Sequence, residues 1–236
     1  MRHGNFFLRP ANLAQSTAEV FRPGLLHSCP MSDERAARIK LIIFDVDAVM
    51  TDDTIFLFPA PAGAASHDTH VRREQMADAG GFGIASSDVV EAKGFNAHDG
   101  TGFSLARLGG LKTAIITKRI SETVHLRARD LKVEHVYQGQ HHKLEAFRDI
   151  LQKEGLVPEQ ACYVGDDVID LPVMRICGLG IAVRNAREEV LRESHYVTPH
   201  GGGHGAVRDA IEYILRAQGS LERASTSTSV SEARLP

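Results

Sequence analysis

Leu41-Ile42-Ile43-Phe44-Asp45-Val46-Asp47 is the stretch that decides the fold: four apolar residues run straight into two carboxylates spaced two apart. An unbroken Leu-Ile-Ile-Phe run reads as a strand buried on both faces, as in the middle of a parallel sheet. Strand side chains alternate, so Asp45 and Asp47 point the same way if strand geometry persists. In an open α/β sheet, chemistry gathers at the carboxyl ends of the strands. Two acids placed there cost free energy unless a cation or a reaction needs them.

A single Asp ending a strand is commonly a helix cap or a turn former. Here a second acidic cluster, Gly165-Asp166-Asp167-Val168-Ile169-Asp170, follows another short apolar run, Ala161-Cys162-Tyr163-Val164. Two carboxylate clusters at strand ends of one chain point to a shared Mg²⁺ site, because hard oxygen ligands suit that ion.

The length of 236 residues allows one α/β domain with extensions. The net charge of −3 offers no broad nucleic-acid surface. Three cysteines without CxxC spacing argue against a disulfide framework or a structural zinc, and Cys162 and Cys177 read as core residues. No apolar run is long enough to span a membrane, so the default expectation is a soluble cytoplasmic protein.

Strand and helix patterns run from Ile39 to Ala217 and imply a Rossmann-like α/β fold, a parallel sheet with helices on both faces. Residues 1–38 read as a disordered extension: they lack periodicity, carry Pro10, Pro23 and Pro30, and place a natural start at Met31. Residues 54–95 read as a β-hairpin flap with an enlarged Pro-, Ala- and Gly-rich tip, within which Val71 to Ala79 could form a short helix. Helices are expected at Gly102 to Leu108, Ser121 to Leu131 and His142 to Glu154, the last with Leu144, Phe147, Ile150 and Leu151 on one face. The Ser- and Thr-rich tail, 218–236, reads as disordered.

Two further strand ends carry reactive types: Thr117 after Ile115-Ile116, and Lys143 at the start of a helix. Together the four places fit phosphoryl transfer. A carboxylate can attack phosphorus, a divalent cation can neutralise the repulsion, and a hydroxyl and an ammonium can hold the phosphoryl oxygens. A second acid is needed for the leaving alkoxide. The order Asp45-Val46-Asp47, Thr117, Lys143 and Gly165-Asp166-Asp167 with Asp170 resembles the haloacid dehalogenase superfamily of phosphohydrolases. Asp45 to Asp52, Phe95-Asn96-Ala97-His98-Asp99-Gly100, Gly165 to Met174 and Gly202 to Arg208 resemble the small phosphatases of that superfamily acting on 3-deoxy-D-manno-octulosonate 8-phosphate, a step in lipopolysaccharide sugar synthesis.

That resemblance implies Asp45 as nucleophile and Mg²⁺ ligand, and Asp47 as acid/base whose backbone carbonyl also binds the metal. It implies Thr117 and Lys143 as phosphoryl holders and Asp166 as a metal ligand, with Asp167 and Asp170 holding metal waters or orienting Lys143. Phe95, Asn96, Ala97, His98, Asp99 and Arg119 are implied to contact the sugar-acid phosphate. It further implies a homotetramer without a separate cap domain, in which hairpins close neighbouring sites. Three positions depart from the pattern: Ala48 and Lys118 stand where Gly is usual, and His98 where Arg is common. If position 48 needs positive φ, Ala costs about 1 kcal/mol there. A related nine-carbon sugar acid 9-phosphate as substrate, and a catalytically idle scaffold, are the alternative readings.

Overall fold

The computed structural model describes residues 30–59 and 89–232. Strand β1 (Leu41–Phe44) is its hub. It pairs in parallel with β4 (Lys112–Ile116) on one side and β6 (Ala161–Gly165) on the other. With β5 (His135–Tyr137), β7 (Leu179–Ala182) and β8 (Tyr196–Val197) the sheet runs β5-β4-β1-β6-β7-β8, every pair parallel. A separate antiparallel hairpin joins β2 (Phe56–Pro59) to β3 (Val89–Ala92).

The alternation of β1 divides its side chains between two cores. Ile42 and Phe44 pack with Phe103 and Leu105 of α2 (Ala97–Gly109) and with Ile211 and Ile214 of α7 (Ala206–Ala217). Leu41 and Ile43 pack with Ala146, Phe147 and Ile150 of α4 (Lys143–Glu154) and with Met174 of the short α5 (Leu171–Met174). All four strand residues are fully buried, each worth about 1.5–3 kcal/mol. A strand with no polar face is what a sheet covered on both sides requires.

Local chemistry sets the helix limits. Ser121 caps α3 (Glu122–Leu131), its Oγ accepting the Val124 N–H at 3.4 Å. Helix α2 starts at Ala97, five residues before the expected Gly102, because Asn96 Oδ1 accepts the His98 N–H at 2.8 Å. The glycines within its first turns had masked that start. Helix α6 (Glu188–Glu193) links β7 to β8.

Both expected domain limits move outward. Helix α1 (Pro30–Ala36) belongs to the domain rather than to an extension ending at 38. Ala36 is fully buried, Ser32 Oγ donates to His195 O at 2.8 Å, and Arg35 Nη1 donates to Gly178 O at 2.8 Å. At the other end, the tail expected to be disordered forms α8 (Leu221–Glu232). Ala224 there is fully buried and joins the α2/α7 core, with Leu221 packed against it. Tertiary burial outweighs the weak helix preference of the Ser and Thr residues. The hairpin tip and the short helix expected near Val71 lie outside the described residues. Cys162 and Cys177 are buried free thiols, as expected of core residues.

Candidate active site

The parallel register brings the two acidic clusters to one end of the sheet. The Asp45 N–H donates to Val164 O at 3.0 Å, which carries the β1–β6 ladder one residue past Phe44. Asp166 follows the end of β6. Carboxylate oxygens of Asp45, Asp166 and Asp170 all lie within 4.8 Å of one another. Lys143, the first residue of α4, is buried between two of them: Nζ is 2.6 Å from Asp45 Oδ2 and 2.7 Å from Asp170 Oδ1.

Asp170 is fully buried and fully engaged. Its Oδ1 accepts from Lys143 and, at 2.8 Å, from Tyr163 Oη; its Oδ2 accepts the N–H groups of Asp166 at 3.0 Å and Asp167 at 3.2 Å. A carboxylate offers about four acceptor positions, so Asp170 has none left over, and its bonds tie Lys143 to the acidic loop. Asp167 is partly engaged, its Oδ1 accepting the Val168 N–H at 2.7 Å.

The electrostatics of the cluster call for a cation. Burial pushes Asp45 up to about 7, with Lys143 opposing it. Burial, then the negative charges of Asp45 and Asp170, push Asp166 up to about 8. Burial works against the Lys143 charge, but Asp45 and Asp170 outweigh it and hold the ammonium above the usual lysine range. Two carboxyls raised by burial and mutual repulsion, with carboxylate oxygens as the ligand atoms among the described residues of the cluster, fit a Mg²⁺ ion whose charge would take the place of protons.

Asp47 lies elsewhere. Its carboxylate is absent from the acid cluster and accepts from Lys93 Nζ, with Arg119 Nε 3.8 Å from Oδ2. The turn that carries it is locked. Ala48 adopts φ +60°, and its carbonyl accepts from Asn185 Nδ2 at 3.1 Å. Asn185 Oδ1 in turn accepts the Gly202 N–H at 2.7 Å. A Cβ on Gly202 would lie 1.7 Å from Ala48 O, so this close approach admits only glycine.

Thr117 is buried just past β4, with its hydroxyl accepting the Arg119 N–H at 3.4 Å. The expected substrate loop divides in two. Ala97 and His98 are exposed. Phe95 packs on the core beneath the Arg127 guanidinium, Asn96 Nδ2 donates to Gly203 O at 3.2 Å, and buried Asp99 accepts the Arg208 N–H at 3.0 Å. Asn96 and the Oδ1 of Asp99 are thus committed to backbone partners, while buried Asp99 Oδ2 has no hydrogen-bond partner among the described residues. Lys93, Glu91, Tyr163 and Asn185 were missed in the sequence. Only Tyr163 left a signal, since a tyrosine in an all-buried strand must find a partner for its hydroxyl.

The family model for haloacid dehalogenase-like hydrolases matches residues 113–211. The chain is 37% identical to the 3-deoxy-D-manno-octulosonate 8-phosphate phosphatase of Escherichia coli (strain K12), over 80% of this chain and 86% of that protein. It is similar to the solved structure of the enzyme of that name from Yersinia pestis, at TM-score 0.67 and 37% identity over 82% of this chain and 89% of that one. The Moraxella catarrhalis enzyme of the same name, solved with magnesium ion, phosphate ion and KDO, is similar at TM-score 0.68 and 33% identity, over 83% of this chain and 97% of that one.

Proposed function

This chain belongs to the haloacid dehalogenase-like hydrolases, and on that premise we propose that it is a Mg²⁺-dependent phosphatase of 3-deoxy-D-manno-octulosonate 8-phosphate. The relatives of that name supply the substrate. The observation that carries the chemistry is the pairing of Asp45 and Asp166 at adjacent strand ends, with Lys143 bridging Asp45 and Asp170.

Asp45 would hold the metal with Asp166 and the Asp47 carbonyl. When bound, Mg²⁺ supplies charge neutralisation that lets a carboxylate approach a phosphate dianion. Asp45 attacks phosphorus, and the bond from phosphorus to the sugar oxygen breaks. Asp47 gives its proton to that oxygen and the sugar acid leaves. Asp47, now a base, takes a proton from water as the water oxygen attacks the phospho-Asp45, returning the carboxylate and free phosphate. Lys143 and Thr117 hold the phosphoryl oxygens. Arg119, 3.8 Å from Asp47 Oδ2, and exposed His98 support the reading of these two side chains as contacts to the sugar acid.

Exposed Phe56, Leu57, Phe58 and Val90 of the hairpin support the further reading that the chain assembles as a homotetramer, with hairpins covering neighbouring sites. A panel of sugar-acid phosphates, assayed with Mg²⁺ and with EDTA, tests the function. Turnover should be highest on the octulosonate 8-phosphate, absent in EDTA and abolished in Asp45→Asn. Metal-independent turnover, or an active Asp45→Asn, would overturn the reading.

A further inference from the structure

The two acids of the opening motif are held by different parts of the molecule. Asp45 Oδ1 accepts the Val46 N–H at 2.7 Å and Oδ2 meets Lys143, so the core fixes that carboxylate. Asp47 lies past the end of β1. Among the described residues its carboxylate takes its one hydrogen bond from Lys93, just beyond β3 in the hairpin. The Lys93 side chain is wholly buried, and Asp47 is its hydrogen-bond partner among the described residues. Removing an ammonium from water costs several kcal/mol unless it is well paired, so this contact decides where the Lys93 charge sits.

Glu91, two residues earlier, shares a face with Lys93 in the extended chain and is itself fastened. Its carboxylate accepts from Arg119 Nη2 at 3.0 Å and from Ser121 Oγ, and its backbone carbonyl accepts from Thr123 Oγ1 at 3.2 Å. The second hairpin strand is therefore pinned at Glu91 to the segment between β4 and α3 and to the first turn of α3, and reaches Asp47 two residues later.

We infer that Lys93 is a positioning residue of the hydrolysis, a hairpin ammonium that aims the Asp47 carboxyl at the leaving oxygen. This rests on the phosphatase reading, in which Asp47 protonates the leaving alkoxide. Lys93 fixes Oδ1, while Oδ2 accepts no hydrogen bond among the described residues and faces Arg119 Nε at 3.8 Å, so the hairpin and the segment after β4 together set the direction of the carboxyl. A sugar alkoxide needs that proton; p-nitrophenolate leaves without it. Misaiming Asp47 therefore slows the sugar substrate at two steps, departure of the alkoxide and the shared hydrolysis of phospho-Asp45, and p-nitrophenyl phosphate at the second alone.

Lys93→Met keeps the stem and removes the ammonium, and Lys93→Arg keeps a cation. The kinetics of both are measured with Mg²⁺ on the sugar-acid phosphate and on p-nitrophenyl phosphate, beside Asp45→Asn and thermal unfolding. Positioned acids contribute about 10²–10⁴ in rate. Lys93→Met should lose on the order of 100-fold in kcat on the sugar-acid phosphate, with KM little changed, and under about tenfold on p-nitrophenyl phosphate. Lys93→Arg should recover part of the loss. Equal losses on both substrates, or no loss on either, would overturn the assignment. If Lys93→Met does not fold, Glu91→Gln, which weakens the pin, should show the same selective loss, and an equal loss there overturns it as well. Failure of the phosphatase reading shows separately, as continued turnover by Asp45→Asn.

Discussion

Ala48 holds φ +60°, where a Cβ crowds the neighbouring backbone at a cost of roughly 1–2 kcal/mol. Asn185 and Gly202 enforce the conformation from outside, so the turn carrying Asp47 keeps a shape its own residue disfavours. Ala48→Gly should raise stability by about 1 kcal/mol, seen as a melting temperature roughly 2–4 °C higher. Asp45 and Asp166 give a second residue-scale test. Their folded-state values near 7 and 8 lie above the unfolded 3.8. The folded state then binds more protons than the unfolded state between about pH 4 and 8, and stability falls as pH rises through that window. Thermal unfolding in EDTA should show this fall, and Mg²⁺ should flatten it by replacing the protons. Asp45, Asp166 and Lys143, which the fold brings together, were legible as residues because each closes or follows a visible strand. Lys93 was not, because its partner Asp47 is 46 positions away and nothing local marks a buried lysine.

At the scale of elements, the sheet strands and the amphipathic α4 were legible because their apolar periods are unbroken. Helix α8 was hidden: its sequence, LERASTSTSVSE, has no amphipathic stripe, and Leu221 and Ala224 are held by α2 and α7 rather than by local preference. Residues 30–36 escaped for the same reason, their anchors being Gly178, His195 and Tyr213 far along the chain. Truncation after Gly219 should therefore uncover the α2/α7 core. We expect a loss of about 2 kcal/mol, from apolar surface returned to water at about 25 cal/mol per Å². Circular dichroism melts of the truncated and full chains check it, and an unchanged melting temperature would show that α8 contributes nothing.

For the whole molecule, the hairpin poses the main question. Phe56, Leu57, Phe58 and Val90 are 45–56% exposed on a two-stranded ribbon, an element that is marginally stable alone. In the proposed homotetramer, association through these residues would cover them. Leu57→Asp with Phe58→Asp should convert the assembly to smaller species by light scattering, and should cost more activity on the sugar-acid phosphate than on p-nitrophenyl phosphate. A fully active monomer would sever assembly from substrate choice. The strand order has a consequence of another kind. Central β1 is made early, but its neighbours β4 and β6 begin only at Lys112 and Ala161. At about 5–20 residues per second, β1 waits on the order of 10 s on the ribosome before its first partner is synthesised. During that interval Leu-Ile-Ile-Phe is an unpaired greasy segment of a nascent chain, which makes it the place where a holding chaperone should bind and where stalled synthesis should end in aggregation.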